Sequence, residues 1–405
     1  MKNQKLNRRN FLKTVGAASI GSAIASTKVT AETDEKTKAK KETQFPQIPK
    51  RPLGKTGVEV PVLSLGGMFQ VIQNQTILKT SLKWGVSYWD TADCYMGGNS
   101  EIGMGKYIKR HPDVRKNLFL VSKSDQRDPA TMQGLLDRSL KRLNTDHIDL
   151  YFIHGMGNPD ELNDGIKKVI EKNKAEGKIK FFGFSTHSNM EKCLMAASKL
   201  DWIDAIMTSY NIHLMHKKEM NDAVQACHDK GIGLIAMKVQ GKGQKIKSQA
   251  EKKLTDHFLE SGFTEGQAKL KAVLEDKRIT AACLAMKSVA MITTNVAAVL
   301  DKTKLSKTDK NVLQEYALEN CNGYCAGCSQ ICQRLTGTEY LADTMRYLMY
   351  YNGYGDKNLA KQLFAEIPAA EKTKLLNADY SVAQARCPQS LPIKKLMAEA
   401  LQKLA

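Results

Sequence analysis

The sequence predicts an α/β fold, a (β/α)8 TIM barrel that is followed by a helical C-terminal extension. Apolar runs of strand length recur between residues 60 and 286, and amphipathic stretches of helical length separate them. Such near-continuous apolar runs suit parallel strands that are covered by helices on one side and by a barrel core on the other. The predicted strands are residues 60–65, 87–92, 118–124, 149–156, 179–186, 205–211, 232–239 and 279–286.

The segments between these runs carry the spacing of amphipathic helices. Leu136, Leu140 and Leu143 lie at positions i, i+4 and i+7, which places them on one buried stripe. A similar helix ends before Gly177, a residue suited to a helix C-terminus. The last interval is longer, and it predicts a loop over residues 241–250 and one helix near residues 254–274. Eight such units predict a barrel whose chemistry lies at the carboxyl ends of the strands.

A doubly wound sheet is the alternative, because it also alternates strands and helices. A nucleotide-binding sheet of that type carries a glycine-rich turn after its first strand. Residues 65–68 read Leu-Gly-Gly-Met, which lacks the third glycine and the required spacing. The sequence therefore favours the barrel.

The N-terminus predicts a twin-arginine export signal over residues 1–25. Arg8 and Arg9 precede a weakly apolar stretch that is too short for a transmembrane helix, and small residues around Ala25 suit cleavage before Ser26. A frayed basic tail is the other interpretation. The predicted regions are the signal (1–25), a disordered linker rich in Lys, Thr and Glu (26–50), the barrel (51–305) and the extension (306–405).

The amino-acid composition and the distribution of charge indicate which kinds of partner the protein binds. The chain of 405 residues is 42% hydrophobic and carries a formal net charge of +19 at pH 7. Its basic residues are scattered, and no basic run has interleaved aromatic residues, so no nucleic-acid motif is visible. We interpret the charge as a solvated surface and expect neither a nucleic-acid partner nor a stable membrane span.

Four polar side chains lie at or just beyond the ends of three successive predicted strands. They are Asp90 with Tyr95, then Lys123, then His154. A tyrosine that acts as an acid at neutral pH needs a nearby cation, which Lys123 supplies, and Asp90 keeps that lysine charged and oriented. His154 can hydrogen-bond a substrate oxygen. Together these groups predict a site that protonates a carbonyl oxygen while hydride arrives at the carbon.

These residues resemble the aldo-keto reductase family. The likeness covers about residues 51–300 and rests on four stretches in the family's order: Arg-Pro-Leu-Gly-Lys-Thr-Gly (51–57), Trp-Asp-Thr-Ala-Asp-Cys-Tyr (89–95), Val-Ser-Lys-Ser (121–124) and Leu-Tyr-Phe-Ile-His (150–154). It implies a (β/α)8 barrel, NADP(H)-dependent reduction of a small carbonyl or sugar-like substrate, and a tetrad of Asp90, Tyr95, Lys123 and His154, in which Tyr95 is the acid.

The same resemblance implies residues that bind the cofactor. Tyr210 is expected to stack on the nicotinamide, Ser185 to contact its carboxamide, and Lys287, Ser288 and Asn295 to lie near the adenosine phosphate.

The chain also departs from the family. It has Met207 where the family usually has Gln, and Thr186 where Asn is usual. Lys238, at the end of the seventh predicted strand, is either a phosphate or substrate contact or a solvated strand end.

Nine cysteines fall into two groups. Four are isolated within predicted barrel elements, where we interpret them as small apolar residues. The other five lie in the extension, where Cys325, Cys328 and Cys332 form a C-x2-C-x3-C run, Cys321 precedes it, and Cys387 follows next to a proline. The isolated cysteines are Cys94, Cys193, Cys227 and Cys283.

Tight loops between thiolates and a remote fourth cysteine suit a [4Fe-4S] cluster held by Cys325, Cys328, Cys332 and Cys387. A zinc site or disulfides are the alternatives. Cys321 is either a spare ligand or a substitute for one of the four. The tail resembles the ferredoxin-like extension of exported aldo-keto reductases, many of which have a C-x2-C-x2-C run instead.

The sequence therefore predicts an exported, NADP(H)-linked carbonyl reductase that the twin-arginine machinery carries to the periplasm or otherwise out of the cytoplasm. Its cluster would either brace the extension or pass electrons to an electron-transfer partner. A second hypothesis is an enzyme that oxidises or isomerises a sugar with a cofactor that never leaves the protein. A third is a nucleotide-binding redox module without turnover, which Met207 favours and the intact tetrad opposes.

Overall fold

Eight parallel strands close into a barrel in the computed structural model, which describes residues 45–241, 249–319 and 324–405. The strands of the barrel are β3 (Leu63–Gly66), β4 (Tyr88–Asp90), β5 (Phe119–Ser124), β6 (Ile148–Ile153), β7 (Ile179–Thr186), β8 (Ala205–Ser209), β9 (Gly233–Met237) and β10 (Ala281–Leu284), and they follow a separate pair, β1 (Lys50–Pro52) and β2 (Glu59–Pro61). Strands β3 to β10 pair in chain order, and β10 pairs back onto β3. This closure confirms the predicted barrel and excludes the doubly wound sheet, whose edges stay open.

A short antiparallel hairpin of β1 and β2 closes the amino end of the barrel. Leu53 and Val60 are fully buried in the barrel interior, and Arg51 donates hydrogen bonds to the carbonyl oxygens that precede β10. The predicted first strand is therefore split in two. Pro61 ends β2 because proline has no N–H to continue a ladder, and β3 begins at Leu63.

Strand side chains point alternately into the barrel and toward the surrounding helices. Tyr88, Phe152 and Met207 belong to the interior, whereas Trp89 and Tyr151 are buried between the strands and the helices. This alternation decides which side chains reach the mouth of the barrel, the end at which the carboxyl ends of the strands meet.

Helices surround the barrel, as predicted, with one difference near residues 254–274. The chain forms two helices there, because Gly262 has a φ of 79° and Thr264 begins the second helix with a capping box completed by Gln267. The helices of the barrel are Gln75–Lys83, Asn99–Arg110, Pro112–Arg115, Pro129–Leu143, Asp164–Ala175, Met190–Ala197, Lys218–Asp229, Gln249–Glu260, Glu265–Glu275 and Val289–Leu300.

The extension builds a second hydrophobic core of its own. Its first helix, Lys307–Glu319, packs on helix Gln249–Glu260 through Val312 and Leu313 and so belongs to the barrel layer. The remaining helices share a separate core around Leu348 and Met397. They are Ser329–Thr336, Leu341–Met349, the π-helix Tyr350–Tyr354, Lys357–Ala365, Ala369–Asn377, Ser381–Ala385 and Ile393–Leu404.

The extension lies against the mouth of the barrel. Tyr324, Ala326 and Met349 are buried in the barrel's main hydrophobic cluster, and Tyr350 packs against it. Asn211, which follows β8, donates a hydrogen bond to the Tyr324 hydroxyl at 3.0 Å. Residues of the extension therefore contribute to the surroundings of the mouth.

Several sequence predictions concern residues outside those that the structure describes. These are the export signal (1–25), most of the linker (26–50), most of the loop at 241–250, and Cys321. In the described part of the chain, none of the helices combines the length and the apolar character that crossing a membrane requires.

Candidate active site

The structure brings the four predicted catalytic side chains together at the mouth of the barrel. Asp90 ends β4, Lys123 lies in β5, His154 follows β6, and Tyr95 begins a short 3-10 turn after β4. The Lys123 ammonium donates to Asp90 Oδ1 at 2.7 Å and to the Thr91 carbonyl oxygen at 2.7 Å. Its Nζ lies 3.4 Å from the Tyr95 hydroxyl. The lysine therefore joins the carboxylate to the phenol, as the sequence predicted.

Local backbone geometry holds Tyr95 beside the imidazole. The turn after Tyr95 is left-handed, with φ values of 55° at Met96, 63° at Gly97 and 88° at Gly98. A non-glycine residue such as Met96 adopts this conformation only where its surroundings enforce it. The Tyr95 and His154 rings meet edge to face, with centroids 5.3 Å apart. The turn thus places the phenol beside the His154 imidazole.

The protonation states suit a proton donor. Burial, and then the Asp90 charge, raise the pKa of Tyr95 well above its usual range, so the phenol is protonated at neutral pH. Burial, followed by the charges of Lys123 and Arg127, lowers the pKa of His154 well below its usual range. The imidazole is therefore neutral and can hydrogen-bond a carbonyl oxygen without carrying charge.

Asp90 is almost fully buried, and its charge depends on its partner. Burial raises the pKa of Asp90, whereas the Lys123 charge and hydrogen bond lower it. The side chains of Asp90 and Lys123 are 2% and 1% exposed, so the pair is shielded from water. Asp90 Oδ2 makes no hydrogen bond within the described residues.

Ser185, which the resemblance implied as a carboxamide contact, lies at the mouth. Its Oγ accepts a hydrogen bond from the Gly155 N–H at 3.0 Å, next to His154, and the residue is 2% exposed. The hydroxyl of the neighbouring Thr186, where the family usually has Asn, donates a hydrogen bond to the Ser188 carbonyl oxygen.

Lys238 follows β9 with a left-handed φ of 55°, and its Nζ lies 5.7 Å from the Tyr350 ring centroid. The structure thus places Lys238 beside the extension.

The structure does not bring Tyr210 to the mouth. Its ring is buried between the strands and the helices, and its hydroxyl donates to Asp276 at 2.7 Å. The alternation along β8 explains this, because Met207 points inward and residues an odd number of positions away point outward. A nicotinamide-stacking role does not fit this position, and the prediction for Tyr210 is corrected accordingly.

The predicted phosphate-binding residues lie together at the start of helix Val289–Leu300. Ser288 caps this helix by accepting a hydrogen bond from the Met291 N–H, and Asn295 is buried about two turns further on. The ammonium of Lys287 forms a salt bridge with Asp356 of the extension. A carboxylate of this chain therefore already contacts the lysine that the resemblance assigns to a phosphate.

Sequence reasoning missed three residues near the tetrad. Cys283, interpreted as a small apolar residue, lies on the inward face of β10, where its thiol and the Asp90 carboxylate influence each other's pKa. The extension contributes Arg346, whose Nη1 lies 2.9 Å from His187 Nδ1. The period-2 pattern of β10 could have revealed Cys283, whereas only the packing of the extension reveals Arg346 and His187.

The four predicted cluster ligands line one cavity, here called the cysteine cavity. Cys325, Cys328, Cys332 and Cys387 all contribute to its wall, and none of them forms a disulfide. Burial raises the pKa of Cys325 and of Cys332 to about 12, and the nearby sulfurs add to the rise. Apolar side chains complete the wall: Ile331, Leu341, Met345, Leu391 and Ile393.

The spacing of these sulfurs bears on the type of group they could hold. A tetrahedral zinc ion with Zn–S bonds of about 2.3 Å needs its sulfurs about 4 Å apart. Among the described residues, three ligand atoms of His, Cys, Asp or Glu lie within 4.8 Å of one another only at Asp93, Cys94 and Asp125. The four sulfurs of the cysteine cavity are therefore spread more widely than a single zinc ion requires.

Known proteins resemble the barrel part of this chain. The Aldo/keto reductase family model matches residues 65–313. The probable aldo-keto reductase 1 of Glycine max is 23% identical over 300 residues, which are 66% of this chain and 84% of that protein. The uncharacterized oxidoreductase YrpG of Bacillus subtilis is 29% identical over 209 residues, 45% of this chain and 64% of that protein.

The fold likeness agrees with the sequence likeness. The holo form of an aldo-keto reductase from Bacillus halodurans superimposes with a TM-score of 0.56 at 24% identity, covering 67% of this chain and 96% of that one. The aldo-keto reductase yakc [NADP(+)] of Schizosaccharomyces pombe is 27% identical over 186 residues, 42% of this chain and 53% of that protein. The chain thus belongs to the aldo/keto reductase family and is an oxidoreductase.

Proposed function

We propose that this protein is an NADP(H)-dependent reductase of an aldehyde or ketone, with Tyr95 as the proton donor. The observation that carries the proposal is the buried chain of contacts in which the Lys123 ammonium joins the Asp90 carboxylate to the Tyr95 hydroxyl. A related protein, yakc of Schizosaccharomyces pombe, bears NADP(+) in its name, which supports the choice of cofactor.

Each side chain has a distinct part in the proposed reaction. A bound nicotinamide nucleotide supplies hydride to the carbonyl carbon. The Tyr95 O–H gives its proton to the carbonyl oxygen, which becomes the hydroxyl of the product, and solvent then reprotonates the phenolate. Lys123, held by Asp90, stabilises the negative charge that develops on the phenol oxygen. Neutral His154 donates a hydrogen bond to the same carbonyl oxygen and so orients the substrate.

The residues proposed to hold the nucleotide are Ser185, Lys287, Ser288 and Asn295. Ser288 and Lys287 lie at the amino end of a helix whose first turn is exposed, and such an end favours a phosphate through its free N–H groups. Ser185 is the polar side chain of β7 that faces the mouth. We leave Tyr210 out of this set because its ring lies outside the barrel.

Tyr95→Phe tests the acid, with Tyr107→Phe as a matched control. Tyr107 is also buried, but it packs on Trp89 in the outer layer. We expect Tyr95→Phe to lower kcat for small aldehydes by about 10²-fold or more, the usual contribution of a general acid, and to leave NADPH affinity unchanged. Tyr107→Phe should keep full turnover. Undiminished turnover in Tyr95→Phe would exclude the mechanism.

For the extension we propose a [4Fe-4S] cluster on Cys325, Cys328, Cys332 and Cys387. Support comes from the convergence of all four thiols on one cavity and from the wide spacing of their sulfurs. When bound, the cluster would supply four Fe–S bonds that cross-link the cysteine loop to the distant Cys387 segment. Iron and acid-labile sulfide in anaerobically purified protein test this proposal, and stoichiometric zinc in their place would refute it.

We also propose that the twin-arginine machinery exports the protein to the periplasm. The adjacent Arg8 and Arg9 and the following apolar stretch support this. Arg8→Lys together with Arg9→Lys should leave the protein in the cytoplasmic fraction of the expressing cell. Unaltered export of the double variant would count against this route.

A further inference from the structure

A second cavity lies between the mouth of the barrel and the extension, and we call it the mouth cavity. The barrel contributes His187, Ser209 and Lys238 to its wall, from the ends of β7, β8 and β9. The extension contributes Tyr324, Arg346 and Met349. The tetrad comes from β4, β5 and β6, so the mouth cavity occupies the neighbouring half of the same mouth.

Two polar groups in this wall lack the partners that such groups normally have. Ser209 is 2% exposed, and its Oγ makes no hydrogen bond with any residue that the structure describes. The Lys238 ammonium also has no hydrogen bond or salt bridge among the described residues, but its side chain is only partly buried, and its Nζ lies 5.7 Å from the Tyr350 ring centroid. Buried polar groups are nearly always paired, so the Ser209 hydroxyl invites a ligand that accepts a hydrogen bond, and the Lys238 cation in the same wall favours an anionic one.

The charges around the cavity also favour an anion. Arg346 reaches Asp343 at 2.5 Å, which compensates its guanidinium. Lys238 has no carboxylate within salt-bridge distance among the described residues. Burial, and then the Arg346 charge, lower the pKa of Lys238 well below its usual range, whereas Cys325 and Asp343 raise it to a smaller extent. An anion in the cavity would favour the charged ammonium.

Hydrogen bonds fix the backbone at Lys238. Its φ of 55° is unfavourable for a residue with a side chain, and its carbonyl oxygen accepts hydrogen bonds from the Gly241 N–H and the Asn211 side chain. Strained residues of this kind are found at functional sites. Lys238 contributes to the wall of the mouth cavity from this fixed backbone position.

The cavity is next to the groups proposed to react. The His187 imidazole, which lines the cavity, packs against Gly155, since a methyl group on Gly155 would lie 3.5 Å from His187 Nε2. Gly155 directly follows His154, so the mouth cavity borders the His154 side of the mouth.

We propose that Lys238 and Ser209 bind the carboxylate of the substrate, so that the carbonyl compounds reduced by this enzyme are small oxo acids. This inference rests on the proposed reductase function. The carboxylate accepts hydrogen bonds from the Lys238 ammonium and the Ser209 hydroxyl, while the oxo group meets Tyr95 and His154. The product is the hydroxy acid, formed by hydride from the reduced nicotinamide nucleotide and a proton from Tyr95.

The first test compares Lys238→Met with Lys230→Met in the full chain. Lys230 is exposed and precedes β9, at the opposite end of the strand that Lys238 follows. Pyruvate and methyl pyruvate are the substrates, because the ester keeps the ketone and removes the charge. We expect Lys238→Met to lower kcat/KM for pyruvate by about 10- to 100-fold, the effect of one hydrogen bond to a charged group. Lys238→Met should reduce methyl pyruvate as fast as the wild type does. Lys230→Met should reduce both substrates as fast as the wild type does.

The second test measures binding without turnover. Oxamate, an unreactive analogue of pyruvate, is titrated by calorimetry into protein loaded with NADP+. Its affinity should fall by about tenfold or more in Lys238→Met and by less in Ser209→Ala, which loses a neutral hydrogen bond. Melting temperatures identify any variant that has lost its fold.

Three results would overturn the proposal. They are an equal loss of turnover for pyruvate and methyl pyruvate, a loss of NADPH affinity in Lys238→Met, which would assign the lysine to the nucleotide, and failure of oxamate to bind the wild type. A protein that binds oxamate through Lys238 but reduces no carbonyl compound would keep the acid site and refute the proposed reductase function instead.

Discussion

The buried His213 should make the fold sensitive to acid. It lies in the loop after β8, and its ring nitrogens contact the Gly241 and Ala317 carbonyl oxygens at 3.0 and 3.2 Å. The ring also stacks on Tyr324, with centroids 5.0 Å apart. This one imidazole thus connects the barrel mouth, the helix Lys307–Glu319 and Tyr324 of the extension. We predict that protonation of His213 destabilises the folded protein.

The size of the effect follows from the pKa. Burial lowers the pKa of His213 to about 4, and the nearby cation of Lys269 adds to the fall, although the two carbonyl contacts oppose it. An unfolded histidine titrates near 6.5, so between about pH 6.5 and 4 the unfolded chain binds a proton that the folded protein does not. Stability is therefore complete above pH 6.5 and declines as the pH falls, by about 3 kcal/mol in total from this residue.

Denaturant unfolding of the wild type and His213→Gln at pH 7.5, 5.5 and 4.5 measures this effect. The variant should be less stable at pH 7.5, because it loses the stacked ring, but its free energy of unfolding should fall less steeply with acid. His228→Gln, on the exposed surface of helix Lys218–Asp229, should follow the wild type at each pH. Parallel pH profiles for the wild type and His213→Gln would refute the reasoning.

Three further predictions concern the tetrad, the cysteine loop and the cofactor site. Asp90→Asn leaves the buried Lys123 charge uncompensated, so kcat should fall by about 10²-fold while NADPH still binds, as steady-state kinetics and fluorescence titration would measure. Gly327→Ala places a methyl group 2.2 Å from the His187 carbonyl oxygen and should lower the melting temperature more than Gly337→Ala, which has a similar φ and no atom within 4 Å. Asp356→Asn frees Lys287 and should tighten NADPH binding by up to about fivefold without changing NADH binding, since partly exposed ion pairs contribute at most about 1 kcal/mol.

The sequence was sufficient to predict the barrel and the meeting of four polar side chains at its mouth. Eight apolar runs specify eight strands, and the fold itself brings the ends of neighbouring strands together, so Asp90, Lys123 and His154 had to meet. The place of each of these residues at the mouth depends only on its position at the end of one strand. Their contact distances follow from β4, β5 and β6 being adjacent in the closed sheet.

Predictions that needed the direction of a side chain were less successful. Tyr210 lies at the end of β8, where a shift of one position moves a side chain from the barrel interior to the helical layer. The resemblance to the family identified the tyrosine, but it did not show that the Tyr210 side chain faces the helical layer and not the barrel interior. Ser209, its neighbour, occupies the inward position and lines the mouth cavity.

Contacts between distant parts of the chain were beyond sequence reasoning. The pair of Lys287 with Asp356 and the contact of Arg346 with His187 join residues of the barrel to residues of the extension. Neither periodicity nor spacing indicates where a separately cored helical segment docks. Within the predicted extension of residues 306–405, the helix Lys307–Glu319 packs on a helix of the barrel layer, a contact that the sequence does not indicate.

The docking of the extension ties the state of the cysteines to the geometry of the mouth. Cys325 and Ala326 line both the cysteine cavity and the mouth cavity, so the proposed cluster and the proposed substrate site share a wall. The adjoining Gly327 accepts a hydrogen bond from the Asn189 N–H, which fixes the cysteine loop on the loop after β7. A group that orders these cysteines therefore also orders the wall that faces Lys238. The extension is in this sense part of the proposed active site, because Arg346 and Met349 complete the wall of the mouth cavity beside Lys238 and His187.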